Sequence, residues 1–529
     1  MKREPIILTV FALAFVTISL SSYTQKSATY DEPKHLTVGY AALAFREYRL
    51  DLETPPLLRM WAALPLLGTG NVKFDTNSIY WLKGNNTEFF RVFLYQQNDA
   101  DRLLYRARFM IVLLGVALGL LLFVWARKLF GCGVATVVLA LYCLDPNILA
   151  HASVVTTDLG FACLFCGTLY FLWRTTCALN AVNLLAVAVF FALAQVSKFS
   201  ALALGPIAIV LLAIYGVRKR CVAKALFVLV CMLAAAYAAI WAVYGFCHAA
   251  SLGDYFLPQA YVEGVRSQLA APTHWSGLFY LAGKISERGW WYYYAVAFAV
   301  KTPVALLALF FGGLVVCAMQ REKLYVDEIF LLVPLVMFFT AASLVKFNLG
   351  LRYVLPIYPL VLLVAGKLVT VVVHGRHRLV LVAVLALSGI ELAWIHPHEL
   401  AFFNFLVGGA QHGSEWLVDS NLDWGQDLKL LGRWMQTHRV SHINLAYFGT
   451  ADPAYYQIEY TPLRGSYPPP FVPLARPRLP GYVAVSATTL RGVFLSELGR
   501  TFYKPLLQMK PVATIGYSIY IYRVERPWW

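Results

Sequence analysis

Charge is scarce in this sequence. Asp, Glu, Lys and Arg together make up 14% of its 529 residues, while apolar residues make up 60%. Water-soluble domains carry roughly 25% charged residues, so a large soluble globule is excluded and many membrane spans are implied. Acids are scarcer than bases, 28 against 44, which leaves a net charge of +16. In a membrane protein that excess belongs to cytoplasmic loops and sets orientation, so it is not a nucleic-acid signal. No cysteine follows Cys317, which excludes a disulfide framework from the C-terminal portion. The nine cysteines all lie in or beside apolar runs. Cys163 and Cys166 form one CxxC inside such a run, with no second pair, and read as small helix-packing residues. No His/Cys cluster has metal-ligand spacing, and His396-Pro-His398 alone does not make one. An internal repeat of the kind that marks many transporters is also missing.

What is present is a series of long apolar runs. A span needs about 20 mostly apolar residues. About eleven candidates centre on 5–23, 107–126, 132–149, 158–174, 180–197, 199–216, 222–246, 296–317, 328–345, 353–373 and 378–395. The start "MKREP" with a short first run also fits a signal peptide, but no A-x-A-like site precedes an obviously soluble domain, so an uncleaved anchor is expected. With the N-terminus inside, the inner loops hold "ARKLFG" (126–131), "RTTCALN" (174–180), "GVRKRCVAK" (216–224), "QREK" (320–323) and "HGRHR" (374–378). Nearly all are basic, as orientation by the positive-inside rule requires.

This layout divides the chain into a membrane module, 1–395, and an outer C-terminal α/β domain, 396–529. The long outer loops are 24–106 and 247–295, with shorter ones at 147–157 and 346–352. In "ETPPLLRMWAALPLL" Thr54 can cap a helix with Pro55 in its first turn, and Leu57, Met60, Trp61 and Leu64 share one face. The helix is too short to span and is expected to lie in the interface, as is "KHLTVGYAALAF". "GWWYYYAVAF" (289–298) reads as an aromatic belt entering the next span. Beyond 396, "NLDWGQDLKLLGRWMQTH" reads as an amphipathic helix, and "HINLAYFG", "GYVAVSA" and "YSIYIYRV" as strands. "YPPPFVPLARPRLPG" reads as a proline-rich loop.

The carboxylates that could do chemistry sit at the outer boundary. Asp31 and Glu32 follow the first span, and Asp158 opens the fourth. Helix capping explains each as well: Asp is a favoured N-cap, Pro33 suits a first turn, and acids complement the helix dipole. Lys198, Lys301 and Arg352 sit at the same level, where snorkelling would explain any one of them. Ionisable groups gathered at one membrane face nonetheless mark a functional site by default. Cations there can hold a lipid-linked phosphate, and a carboxylate can take a proton from a hydroxyl.

The stretches "YDEPKHLTVGY", "ETPPLLRMWAALPLL", "VVTTDLGF", "SKFSALALGP", "GLRYVLPIYPL" and "HELAFFNFLVGGAQHGSEWLVDSNLDWGQDLK" occur in order from residue 30 to about 429. In that order they resemble the membrane glycosyltransferases of the GT-C type, family 39. Relatives include protein O-mannosyltransferases and lipid A aminoarabinose transferases. The last stretch is most similar to bacterial members with an outer C-terminal domain.

The resemblance implies a polytopic GT-C fold in the bacterial inner membrane, with the C-terminal domain in the periplasm. It implies transfer of a sugar from a polyprenyl-phosphate donor to an acceptor hydroxyl of a protein, glycan or lipid. Asp31 maps to the catalytic base, Glu32 completes the acid pair and Asp158 maps to the second acid. Lys198, Arg352 and Lys301 are the expected donor-phosphate ligands. Attack opposite the phosphate would invert the anomeric centre, with no cofactor and no metal required. One departure stands out: where relatives commonly carry His-Pro-Pro-Leu, this chain reads Thr54-Pro55-Pro56-Leu57. The competing class is a lipid or solute transporter without transferase activity, which would place its charges near the bilayer midplane.

Overall fold

The structure is a computed structural model and describes residues 4–68, 70–82, 86–245, 257–274, 277–319, 326–345, 347–373, 378–466 and 476–528. The inner loop 320–323, most of 374–378 and most of the proline-rich stretch lie outside the described residues.

Among the described residues, six helices are long and apolar enough to cross a membrane, or eight spans if each of two bent pairs is one. These eight match eight of the eleven expected runs. The other three are helices as well: Asp158–Cys177, Ala181–Gln195 and Arg378–Ile395. The second and third are short for a crossing.

The two bends correct the expected layout. Cys132–Cys143 and Pro146–Ala152 meet at 63°, and Tyr293–Lys301 and Val304–Met319 meet at 119°. Both breaks fall at an X-Pro step, where the residue before proline is driven out of the helical region. Asp145 is extended at ψ 116 and caps the second half, its Oδ1 accepting from Asn147 N at 2.8 Å. Thr302 is extended at ψ 135 ahead of Pro303. The expected span 296–317 is therefore two arms, and Lys301 ends the first of them.

The longest helix, Ala100–Phe130, has 31 residues and runs beside the first, Glu4–Tyr23. Gly115 and Gly119 let the two approach, since a Cβ at 119 would lie 2.2 Å from Phe11 Cζ and one at 115 would lie 2.7 Å from Phe15 Cε1. The long helix starts at the Asp99 cap and ends on Arg127 and Lys128. Asp158–Cys177 likewise starts on Asp158 and carries Arg174 in its last turn. Both helices thus carry an acid in the first turn and bases in the last, although Ala100–Phe130 also holds Arg102, Arg106 and Arg108 near its start.

Glu32–Phe45 and Leu57–Leu67 are the two expected short helices. Two details of the second differ from expectation. It begins after Pro56 with no side-chain cap, so Thr54 does not cap it. Its inward face is Leu58, Arg59, Ala62, Ala63 and Leu66, while Leu64 and Leu67 are exposed. The apolar face read from the sequence is therefore the outward one, as suits a helix against lipid.

The C-terminal region holds a five-stranded mixed sheet. After the hairpin of β1 (Phe279–Leu281) and β2 (Lys284–Ser286), its strands are β3 (Ile443–Ala446), β4 (Tyr460–Pro462), β5 (Gly481–Ser486), β6 (Ala513–Ile515) and β7 (Ile519–Val524). The order is β4-β3-β5-β7-β6, with β3 parallel to β4 and β5, and β7 antiparallel to β5 and β6. The amphipathic helix is shorter than expected, Leu428–Thr437, and residues before it form an irregular loop that turns at Gly425 (φ +88).

Candidate active site

That loop reaches the segment that follows the first helix. Ser27 N donates to Gln426 O at 2.9 Å, and Tyr30 N donates to Trp424 O at 2.7 Å. Lys26 Nζ reaches Asp427 Oδ1 at 2.7 Å. Tyr30 O accepts from Thr450 Oγ1 at 2.8 Å. Residues 26–31 are thus held from the C-terminal region.

Asp31 sits at the N-cap position of Glu32–Phe45, yet its side chain makes no capping bond. Its Oδ2 instead accepts from Arg352 Nη1 at 2.9 Å. Burial alone raises the Asp31 carboxyl, but the charges of Arg352 and Lys34 outweigh it and hold the group below the usual carboxylate range.

Arg352 lies in a 3₁₀ turn, Leu351–Ile357, after Gly350 at φ +143. A Cβ at 350 would lie 2.4 Å from Ser420 Oγ, so only glycine lets the two segments meet. Leu351 N donates to Asn421 Oδ1 at 3.0 Å, and the guanidinium rests 4.3 Å from the Trp424 ring centroid. The same loop therefore positions both partners of the Asp31–Arg352 pair.

Asp158 and Lys198 complete the cluster. Lys198 Nζ meets Asp158 Oδ1 at 2.5 Å, and Arg352 Nη1 is 4.0 Å from Asp158 Oδ2. Lys198 lies 4.9 Å from the Tyr353 ring centroid. All four residues line one cavity of about 410 Å³. An apolar cleft of about 290 Å³ adjoins it, sharing Phe199, Phe347 and Tyr353 and continuing along Leu202, Phe338 and Ala342.

Two expected site residues are not brought there. Glu32 is fully buried and turned away from the cavity, in a two-pronged pair with Arg108 at 2.7 and 2.6 Å. It also accepts from Thr29 N at 2.7 Å and Val155 N at 2.8 Å. Lys301 turns its Nζ to the carbonyls of Leu400 and Asn421 and lies 4.9 Å from the Phe403 centroid.

Other lining residues escaped sequence reasoning. Lys34, one residue beyond Pro33, bonds Glu53 at 2.9 Å. His35 accepts from Arg59 Nε at 2.9 Å, and burial together with the Arg59 charge pushes it down to about 3, so it is neutral. Asp419 and Trp424 line the cavity too, beside Thr54, which the sequence did single out as the departure from His-Pro-Pro-Leu. Asp419 and Trp424 lie within the stretch "VDSNLDWGQDLK", where their residue types gave no local sign of a site.

Residues 102–244 match the family of dolichyl-phosphate-mannose-protein mannosyltransferases. The resemblance to GT-C type membrane glycosyltransferases is thereby borne out. Among solved structures, the chain is similar to ArnT of Cupriavidus metallidurans in the apo state, with 14% identity, 98% of this chain and 97% of that chain covered, and a TM-score of 0.49. It is also similar to the same protein bound to undecaprenyl phosphate, at 13% identity, 98% and 97% coverage and a TM-score of 0.47. A third is the apo oligosaccharyltransferase of Archaeoglobus fulgidus, at 14% identity, 89% of this chain covered and a TM-score of 0.46, where the match spans 61% of that chain. No curated protein matches the sequence.

Proposed function

We propose that this protein transfers a sugar from a polyprenyl-phosphate donor to an acceptor hydroxyl at the outer face of the membrane, with inversion. The observation that carries this reading is one cavity joining Asp31, Asp158, Lys198 and Arg352 and adjoining an apolar cleft. The donor's isoprenoid would lie in the cleft, with its phosphate between Lys198 and Arg352.

Both cations are held by carboxylates, and that pairing suggests how the chemistry is timed. A carboxylate locked to a guanidinium is a weak base. A donor phosphate drawing on Arg352 would loosen the Asp31–Arg352 pair and raise the basicity of Asp31 when the sugar is in place. Arg352 also has a spare donor, since its buried Nε has no hydrogen-bond partner among the described residues. Asp31 would then take the acceptor's proton as its oxygen attacks the anomeric carbon. The phosphate leaves from the opposite face, its growing charge held by Lys198 and Arg352. Asp158 keeps Lys198 in position. Acceptor classes that fit are a protein, a glycan or a lipid.

Purified Asp31→Asn protein, given a polyprenyl-phosphate sugar and an acceptor extract, should lose transfer by about 10²–10⁴-fold, the usual contribution of a general base. It should still bind the donor. Transfer within a few-fold of wild type would refute the assignment of the base.

A further inference from the structure

The cavity contains a carboxyl that the transfer scheme does not use. Asp419 is supplied by the C-terminal region and lines the cavity with Asp31, Asp158 and Glu53 on the acidic side and Lys34, Lys198 and Arg352 on the basic side. His35 is neutral. Without Asp419, the three other lining acids balance the three lining bases. Ionised Asp419 would therefore leave the cavity with one negative charge in excess, just where an anionic donor must enter.

Its surroundings set it apart from the other two aspartates. Asp31 and Asp158 each hold a cation, at 2.9 and 2.5 Å. Asp419 has no salt bridge among the described residues. Its Oδ1 accepts from Ser420 N at 2.7 Å, its backbone N meets Thr488 Oγ1 at 3.1 Å, and Oδ2 has no hydrogen-bond partner among the described residues. The residue is held at φ +56, in the left-handed region. That conformation costs free energy in a residue with a Cβ, least so for Asp and Asn.

We propose that Asp419 is a donor-binding residue that enters the complex as the neutral acid, taking one proton from solvent and giving its O–H to a phosphate oxygen. This rests on the donor reading above. The uptake balances: the anion brings one negative charge, the proton brings one positive charge, and the cavity's ion pairs stay matched.

The groups around Asp419 support this. Burial pushes its carboxyl up to about 7, with Asp31 raising it and Arg352 opposing. Tyr293 and Tyr353 face it from neighbouring elements. Asp31 is held low and Lys34 is held above its ordinary range, so neither changes charge near neutrality.

The test uses full-length protein in detergent and a short isoprenyl methyl phosphate diester, which carries one charge throughout and does not itself titrate near pH 7. Calorimetry in two buffers of different ionisation heat counts the protons. Wild type should take up nearly one proton per diester at pH 8 and almost none at pH 5.5. Its Kd should rise about tenfold per pH unit above pH 7. Asp419→Asn keeps the left-handed preference and a donor N–H. It should bind at pH 8 as wild type does at pH 5.5, with no uptake and a flat pH profile; its binding at pH 5.5 also reports that it is folded. Binding without proton uptake in wild type, or an unchanged pH profile in Asp419→Asn, overturns the role of Asp419 alone. Failure of wild type to bind the diester at any pH overturns the donor reading and this inference with it.

Discussion

Asp31 and Glu32 are neighbours in sequence with different surroundings. Successive helical residues point about 100° apart, so one carboxylate faces the cavity and the other faces Arg108. Glu32 accepts from a guanidinium and two backbone amides, all fully enclosed. Removing one partner of a buried pair strands the other charge and costs about 3–5 kcal/mol. Glu32→Gln should therefore lower thermal stability in detergent markedly, while Asp31→Asn, whose carboxylate is partly exposed to the cavity, should lower it far less. Equal losses would show that the two acids share one role. Residue type and order along the chain were enough to single out Asp31, Asp158, Lys198 and Arg352. They did not reveal that Glu32 and Lys301 turn elsewhere, because a side chain's direction depends on what packs around it.

At the level of elements, every expected apolar run became helix, but the two strong bends were not anticipated. Both were written in Asp145-Pro146 and Thr302-Pro303, since proline restricts the residue before it. Helix periodicity over-extended the amphipathic helix past Gly425, whose φ of +88 disfavours any other residue. The contact between the first helix and Ala100–Phe130 depends on small residues in the same way. Gly119→Ala should destabilise the protein by about 1–3 kcal/mol through overpacking against Phe11. Adding Phe11→Ala should recover part of that loss, as coupling between touching residues requires. Thermal unfolding of the two single variants and the double variant in detergent checks this, and strictly additive losses would count against the contact.

Across the whole molecule, the cavity draws its two acid–cation pairs from four distant segments, around Asp31, Asp158, Lys198 and Arg352, and no local pattern announces such a meeting. The Asp31 loop and the 419–427 loop are bonded together, so both lie on one side of the membrane. The basic helix ends at Arg127, Lys128 and Arg174 lie at the far ends of helices that begin near the cavity. With those ends inside, as the positive-inside rule favours, we propose that the C-terminal sheet lies outside. A periplasm-dependent phosphatase fused at the C-terminus should be active in intact bacteria, and an inactive fusion with normal expression would reverse the orientation.

Beside the Ser27–Gln426 bond, Ser27 Oγ donates to Gly425 O at 3.1 Å, a clamp that spans 398 residues. Contacts so remote in sequence form late, because the intervening chain must first be made and threaded. A growing polypeptide thus inserts its acidic loop early and leaves it unsupported through most of synthesis. Neither Asp31 nor Arg352 has its final bearings until the 419–427 segment reaches them. Assembly of the cavity is in this way a checkpoint on completion: a truncated chain can be inserted in the bilayer and still have no organised site.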